Sequence, residues 1–313
     1  NKVENTNDAE EKPWLISLSK FSLENFDLSF DDTAAPKIKK GVDYAHLGLQ
    51  VKTLESESIY FNGIEDLGLN LKSLTASEQS GLSISQASFE FKMDSNQVAV
   101  KDLILKTPNS SIDSYALLKF KALDKIADDI GNLKLDLAFD QTRVSGSDLL
   151  YFVPELDTVE SISPYLKQSM SIDGEIKGMV GDLDINNFFI RTGKSTNVSI
   201  NGHIEGLPEI EDLAFNFNKI VLKTKPHDLK TFLPDSTIPS NIKLPSNIKL
   251  DATASGRLKD LNSKVSIASS YGSLSSEFSF QQPDSNTTTY QVSLDLPQFD
   301  LASLLQDTTL GNI

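Results

Sequence analysis

Apolar and polar residues alternate with period two through most of this chain, and nothing else in it restricts the fold as strongly. Leu47, Leu49 and Val51 begin the pattern, and Leu67, Leu69, Leu71, then Phe89, Phe91, then Leu133, Leu135, Leu137, Phe139 carry it on as far as Val292, Leu294 and Leu296. In a β-strand successive side chains point to opposite faces, so each segment has one apolar face and one wet face of Ser, Lys, Gln, Glu and Asn. Asn62-Gly63, Ser80-Gly81 and Asp94-Ser-Asn96 punctuate the run at hairpin spacing. Counting the segments predicts roughly sixteen or seventeen strands. So many one-sided strands cannot lie flat in water, because each apolar side chain left exposed forfeits about 1.5 to 3 kcal/mol. Three closures are open to them: two packed sheets, a closed barrel, or one long sheet curled lengthwise.

Internal repetition favours the third. Ser147-Asp148-Leu149-Leu150-Tyr151-Phe152-Val153-Pro154 returns as His227-Asp228-Leu229-Lys230-Thr231-Phe232-Leu233-Pro234, and its front half as Phe299 to Leu305. The three aspartates stand 80 and 72 residues apart. An Asp ahead of a short apolar run reads as an N-cap, and the Pro as a stop. The strands repeat as well, since Leu105 to Ser114 answers to Ile190 to Gly202 and, more weakly, to Ser273 to Ser276. The reading is a disordered lead-in over 1–12 and one repetitive β-groove over 13–313, with units near 105–190, 190–272 and a partial 272–313. A unit that packs only on its neighbours can be added indefinitely, which suits a groove. The expected fold is all-β, a repetitive antiparallel sheet curled into an elongated apolar groove with short helices at the repeat edges. At about 4.8 Å per strand it would run roughly 75 to 80 Å.

Local exceptions predict particular features. Alternation slips by one at Glu24-Asn25, which reads as a bulge. Ala122 to Ile130 reads as a short helix, and Pro239 to Asn247 as a linker-like insert. Gly174, Gly202, Ala252 and Ala254 occupy inward positions and leave volume for a neighbouring helix or a ligand. Leu149, Phe152, Leu229 and Phe232 are expected to plug an edge of the sheet, and Trp14 to plug a groove end.

Charge narrows the function. A formal charge of -15, from 44 acidic against 29 basic residues, repels nucleic acid and anionic headgroups over the broad surface. The absence of cysteine removes disulfides, thiolate nucleophiles and zinc-thiolate sites, and fits an oxidising compartment such as a bacterial periplasm. No run reaches the roughly 18 apolar residues of a membrane span. His46, His203 and His227 do not pair at metal-ligand spacing and read as solvent-facing or capping groups. Asp182-Leu-Asp184-Ile-Asn186 lacks the Gly and Glu of a calcium loop and alternates like a strand. Ser145-Gly-Ser147 lacks the setting of a nucleophile elbow. Lys37, Lys39 and Lys40 read as a solvated loop. With no distinct carboxylate pair, the reading is a non-enzyme with no metal or cofactor.

At the Asp-Leu-x-x-Phe-x-Pro segments, and at the Asn-x-Ser-Ile-Asx-small strands before them, the chain resembles the AsmA/TamB superfamily of large bacterial envelope proteins. Pro13-Trp14 to Asp31, with its Leu-x-Asn-Phe-x-Leu-x-Phe-Asp pattern, is similar to strand segments of TamB-like chains from Bacteroidota. The resemblance runs from about Pro13 to the end. It implies a β-taco, a periplasmic location within an inner-membrane-anchored protein, and movement of phospholipid between membranes in support of outer-membrane biogenesis. It also implies an Omp85-family barrel partner, met by a part further toward the C-terminus than these residues, and it carries no catalytic residues.

The expected acyl-chain contacts are Leu47, Leu49, Leu69, Leu71, Leu105, Ile112, Leu135, Leu137, Ile185, Ile200, Phe215, Leu250, Ile267 and Leu294. Two other readings compete. One is a scaffold that guides outer-membrane protein strands by augmentation at a free sheet edge. The other is an extracellular β-sandwich adhesin or sugar-binding module.

Overall fold

A computed structural model of the chain describes residues 14–63, 65–159, 166–233, 237–284 and 287–310. The expected lead-in over 1–12 lies outside the described residues. Fifteen strands form one antiparallel sheet in strict sequence order. They are β1 (Leu15–Asp31), β2 (His46–Asn62), β3 (Asp66–Glu78), β4 (Ser83–Asp94), β5 (Gln97–Lys106), β6 (Ser111–Lys119), β7 (Lys134–Ser145), β8 (Ser169–Met179), β9 (Asp182–Thr192), β10 (Thr196–Glu205), β11 (Ala214–Thr224), β12 (Ile248–Arg257), β13 (Asp260–Ser269), β14 (Gly272–Asp284) and β15 (Thr287–Asp295). The sheet is curled and unclosed, and β1 and β15 are its free edges. Among the described residues no second sheet packs on it, so neither a sandwich nor a closed barrel is adopted.

The register joins the alternating segments into one continuous apolar face. Directly paired residues share a face. Phe30 pairs with Leu47, Leu69 with Phe91, and Leu118 with Leu135. The line continues through Ile176 and Ile185, Ile200 and Ile220, and Leu222 and Leu250, to Ile267 and Leu274. The opposite face carries cross-strand ion pairs such as Lys177–Asp136 at 3.6 Å and Lys264–Glu277 at 2.8 Å. Each such pair is exposed and contributes little stability.

The slip at Asn25 is real, with φ at 52°, and the apolar parity changes there from Phe21 and Leu23 to Phe26 and Leu28. Pairing with β2 nevertheless stays in step, because β2 makes the matching change opposite it. The register shift falls one strand further on, between β2 and β3 at Val51/Thr53. Parity changes inside long strands also explain why fifteen strands appear where a count of segments gives more. Asp102, Gln141 and Asn187 adopt the same left-handed conformation in the middles of β5, β7 and β9. Bulges bend and twist a strand, which fits their place at the interior of a curled sheet.

Each irregularity frees backbone groups that need partners. The Gln141 amide donates to Asp173 Oδ1 at 2.7 Å, and the Asn187 amide to Asn201 Oδ1 at 2.5 Å. Thr142 and Ser56, both almost fully buried, span broken rungs with their hydroxyls. Thr142 donates to the Asp113 carbonyl at 2.6 Å, and Ser56 to that of Asn70 at 3.0 Å. Among the described residues the largest fully buried side chains are polar, and two of the three, Thr142 and Ser56, repair the ladder.

Among the described residues a helix follows each of β7, β11 and β15: α1 (Gly146–Phe152), α2 (Pro226–Phe232) and α3 (Leu301–Leu305). As they all succeed odd-numbered strands, they lie along the same long rim of the sheet. The unit is four strands with the helix between the third and the fourth, so Gln97–Met179 and Asp182–Arg257 frame the repeats better than divisions at 105 and 190. The segment expected as a helix over Ala122 to Ile130 is instead two 3-10 turns, Leu123–Lys125 and Ile130–Asn132. Asp129 folds that segment on itself by accepting from Asn132 and Lys121. Among the described residues, no helix is long and apolar enough to cross a membrane.

Candidate functional site: an open apolar face and its latched rim

Twelve of the fourteen groove candidates are half-buried: Leu47, Leu49, Leu69, Leu105, Ile112, Leu135, Leu137, Ile185, Ile200, Phe215, Leu250 and Ile267. All twelve lie on the apolar face that the register defines. Leu71 lies on it too, but is only 5 % exposed and belongs to packed core. Leu294, on the edge strand β15, is 57 % exposed. A closed core of this size would bury such residues completely. The accessible surface is 20196 Å², whereas a compact monomer of 34.4 kDa would show about 13,000 Å². Fully buried apolar side chains fall in two places: at strand ends and in the loops beyond them, as at Val42, Leu82, Phe120, Leu133, Leu166 and Phe299, and within strands, at Val51, Leu71, Ala76, Ala87, Ala99 and Leu183. The apolar face is packed at points within β2 to β4 and stays half-exposed at most of the other candidate positions.

The small inward residues have a local purpose. Gly174 in β8 sits between Phe139 of β7 and Phe188 of β9, whose rings meet edge-on with centroids 6.1 Å apart. A Cβ at Gly174 would stand 2.6 Å from Phe188 Cα, and its φ of 126° is one that side chains disfavour. Gly202 likewise makes way for Phe217, which stacks on Phe215 at 5.5 Å. These two glycines admit aromatic neighbours, so their volume is already filled.

The repeated aspartates do not act as the caps that the sequence suggests. Ser145 and Lys225 hold the N-cap positions of α1 and α2 and make no side-chain cap, while Asp148 and Asp228 stand inside the first helical turn. From there each carboxylate crosses to the hairpin turn two strands back. Asp148 accepts from Ser110 Oγ at 2.6 Å, from Asn109 Nδ2 at 3.2 Å and from the Thr107 hydroxyl. Asp228 accepts from the Ser195 amide at 2.7 Å, Ser195 Oγ at 2.8 Å, Thr196 Oγ1 at 3.0 Å and the Lys194 amide at 3.2 Å. The residues are 4 % and 2 % exposed. Burial works against ionisation of Asp228, but the Ser195 hydroxyl, the Lys194 and Ser195 amides and Thr196 outweigh it and hold the carboxyl at about 2. At Asp148 burial is again outweighed by hydroxyls and an amide, and the pKa is lowered. These polar latches tie each helix to the rim.

Sequence reasoning did not find the latch partners. Their signal is a turn rich in hydroxyls and Asn, Thr107 to Ser110 and Ser195 to Thr196, recurring ahead of each aspartate.

Other expectations are corrected by burial. Trp14 is 82 % exposed rather than a plug, because β1 is an edge strand with no other described strand beyond it. Phe152 is exposed, while Leu149 and Leu229 are half-buried, and the Phe232 side chain lies outside the described residues. His46 is buried, with its ring nitrogens 3.0 Å from Asp43 and 3.6 Å from Asp31. His203, on the wet face, is met by Asp184 at 2.9 Å, Asp182 at 3.1 Å and Glu205 at 3.2 Å. The hydrogen bond to Asp184 leads in raising its pKa. The insert before β12 packs on α3, where the Lys243 amide donates to the Leu304 carbonyl at 2.8 Å. No family model, curated protein or solved structure matches the chain.

Proposed function

We propose that this chain is a periplasmic segment of an AsmA/TamB-like envelope protein whose apolar face carries or shields the acyl chains of phospholipids passing between membranes. One observation carries the reading: a continuous apolar face, assembled from fifteen strands in register, that stays half-exposed at twelve of the fourteen candidate positions. In water such a face is costly, since each half-exposed Leu or Ile forgoes part of about 1.5 to 3 kcal/mol. A flexible hydrocarbon chain would recover it without rearranging the sheet. The alternation and the Asp-Leu repeats that resemble this superfamily support the same reading.

Photo-crosslinking tests it. Benzoylphenylalanine at Leu137, Ile200 or Leu250 is expected to label phospholipid in membrane-exposed or native extracts, while the same group at Asp136, Ser199 or Asp251 on the wet face is not. Equal labelling of the two faces, or none, would overturn the reading.

A second reading is favoured by a different observation. All nine residues of β15 are exposed and its outer edge is unpaired, so a strand of an outer-membrane protein could add there. Crosslinks from Gln291 and Ser293 to nascent barrel proteins, with little lipid retained, would favour that scaffold.

A further inference from the structure

The loop over 32–45 breaks the pattern of its rim. Where the corresponding strands of later repeats, β5, β9 and β13, end in tight turns, β1 is followed by this long loop, which lies against the C-terminal end of α1 and lines a cavity of about 590 Å³. The enclosure is specific. The Val42 amide donates to the Tyr151 carbonyl at 2.7 Å, and Lys40 Nζ pairs with Asp157 at 2.6 Å. Gly41 has φ at 78°, and a Cβ there would stand 2.9 Å from the Tyr151 carbonyl, so the loop can approach the helix only with glycine at this point.

In a chain of net charge -15, the wall of this cavity holds three lysines within four positions, Lys37, Lys39 and Lys40. The carboxylates of the same wall are already engaged. Asp157 is neutralised by Lys40. Asp43 accepts from the Ile38 amide at 3.0 Å and the Ala45 amide at 3.2 Å and faces His46. Glu78 accepts from the Ser80 amide at 2.7 Å and the Gly48 amide at 3.3 Å. Lys37 and Lys39 have no carboxylate partner among the described residues. The wall thus offers two uncommitted ammonium groups, with the Tyr151 side chain beside them, and its carboxylates are held by donors of the protein itself.

We propose that this cavity binds a phosphate ester, with Lys37 and Lys39 as its counter-ions. Ammonium groups form short, charge-assisted hydrogen bonds to phosphate oxygens, and Lys37 and Lys39 stand exposed on the cavity wall, open to an incoming anion. His46 lines the cavity and its neighbour Leu47 belongs to the apolar face, so a phosphate held here sits one residue from the start of the groove. A soluble phosphate monoester and the phosphodiester of a lipid headgroup share the recognised chemistry. The lipid source rests on the acyl-chain reading above, whereas phosphate recognition does not.

Calorimetry on the intact chain separates the two. The probes are glycerol 3-phosphate, a lysophosphatidylglycerol below its micellar concentration, and palmitate, each titrated into the unaltered protein, Lys37→Gln/Lys39→Gln and Lys37→Arg/Lys39→Arg. The expected result is that the glutamine pair weakens lysophospholipid binding at least about tenfold, the arginine pair restores it, and palmitate binding is unchanged. Loss of glycerol 3-phosphate binding in the glutamine pair, with no palmitate bound by any form, would support the phosphate site with a soluble ester as its source and would overturn the acyl-chain reading. Equal binding of both phosphate probes by all three proteins would overturn the phosphate site, and palmitate would then report on the groove alone.

Discussion

Asp148 and Asp228 share their sequence setting with Asp300, yet the three do different work. The first two are buried and latch their helices to hairpin turns two strands back. Asp300 is half-buried and does what its sequence suggests, capping α3 by accepting from the Ser303 amide at 2.8 Å. The helices are placed alike, for the Asp300 amide still donates to the Tyr271 carbonyl in the β13–β14 turn. The difference lies in the turns. The Thr107 to Ser110 turn directs the Thr107, Asn109 and Ser110 side chains at its aspartate, and the Gly193 to Thr196 turn directs the Lys194 and Ser195 amides and two hydroxyls, whereas the Ser269 hydroxyl of the β13–β14 turn is used within the turn. There Ser269 Oγ accepts from the Tyr271 amide at 3.1 Å and donates to the Gly272 carbonyl at 3.0 Å. With no donor of that turn directed at it among the described residues, the Asp300 carboxylate bonds to Ser303 of its own helix. One motif therefore has two roles, decided by the partner rather than by the motif.

Substitution should separate the roles. Asp228→Ala strips a buried turn of four hydrogen-bond contacts and is expected to lower stability by about 2 to 4 kcal/mol, with Asp148→Ala of the same order. Asp300→Ala loses a cap, about 1 kcal/mol. Urea denaturation of the three variants measures this, and equal losses at all three sites would break the distinction.

Acid sharpens it next. The Asp228 carboxyl is held at about 2 against an ordinary 3.8, so its contribution is complete above about 4 and is lost as pH falls through 2. The stability gap between the unaltered protein and Asp228→Asn should be constant from neutral pH to about 4 and shrink below it. A gap independent of pH in that window would mean that the charge of the latch does not matter.

Removing donors instead of the acceptor should cost less. Thr196→Val takes one hydroxyl from the Asp228 latch and is expected to cost about 1 to 2 kcal/mol and to speed hydrogen exchange at the Ser195 amide. Ser303→Ala keeps the backbone amide that caps α3 and removes the hydroxyl that also bonds Asp300, so it should cost less than Asp300→Ala. The smallest effect belongs to the wet face. His203 has a raised pKa, so its ion pairs with Asp184, Asp182 and Glu205 are fully present below 6.5 and are lost as pH rises through the higher folded value. His203→Gln should cost less than about 1 kcal/mol, and only on the acidic side of that titration.

Much of this was legible in the residues themselves. Period-two alternation gave strands with one apolar face, and the recurrence of Asp-Leu segments gave a unit that adds along one axis. Thirteen of the fourteen candidate positions offer surface on the apolar face; Leu71 shows that alternation identifies a face without saying how deeply each position on it is packed. The parity slip at Asn25 was visible, but its resolution between β2 and β3 was not, since register is a property of two strands. Trp14 misled because a large aromatic is ordinarily buried, and sequence does not say that a strand will be an edge.

The sequence by itself determined the local terms: which residues face together along a strand, where hairpins turn, where a short helix interrupts, and that the broad surface repels anions. These follow from backbone geometry and side-chain chemistry within a few residues. The tertiary structure alone decided that the sheet stays open, that Asp148 and Asp228 find donors some 30 to 40 residues away in sequence, and that Lys37 and Lys39 line a cavity with α1. Each of these depends on which turn of a curled sheet is brought beside which helix, and a periodic pattern is the same for every register until the strands have paired.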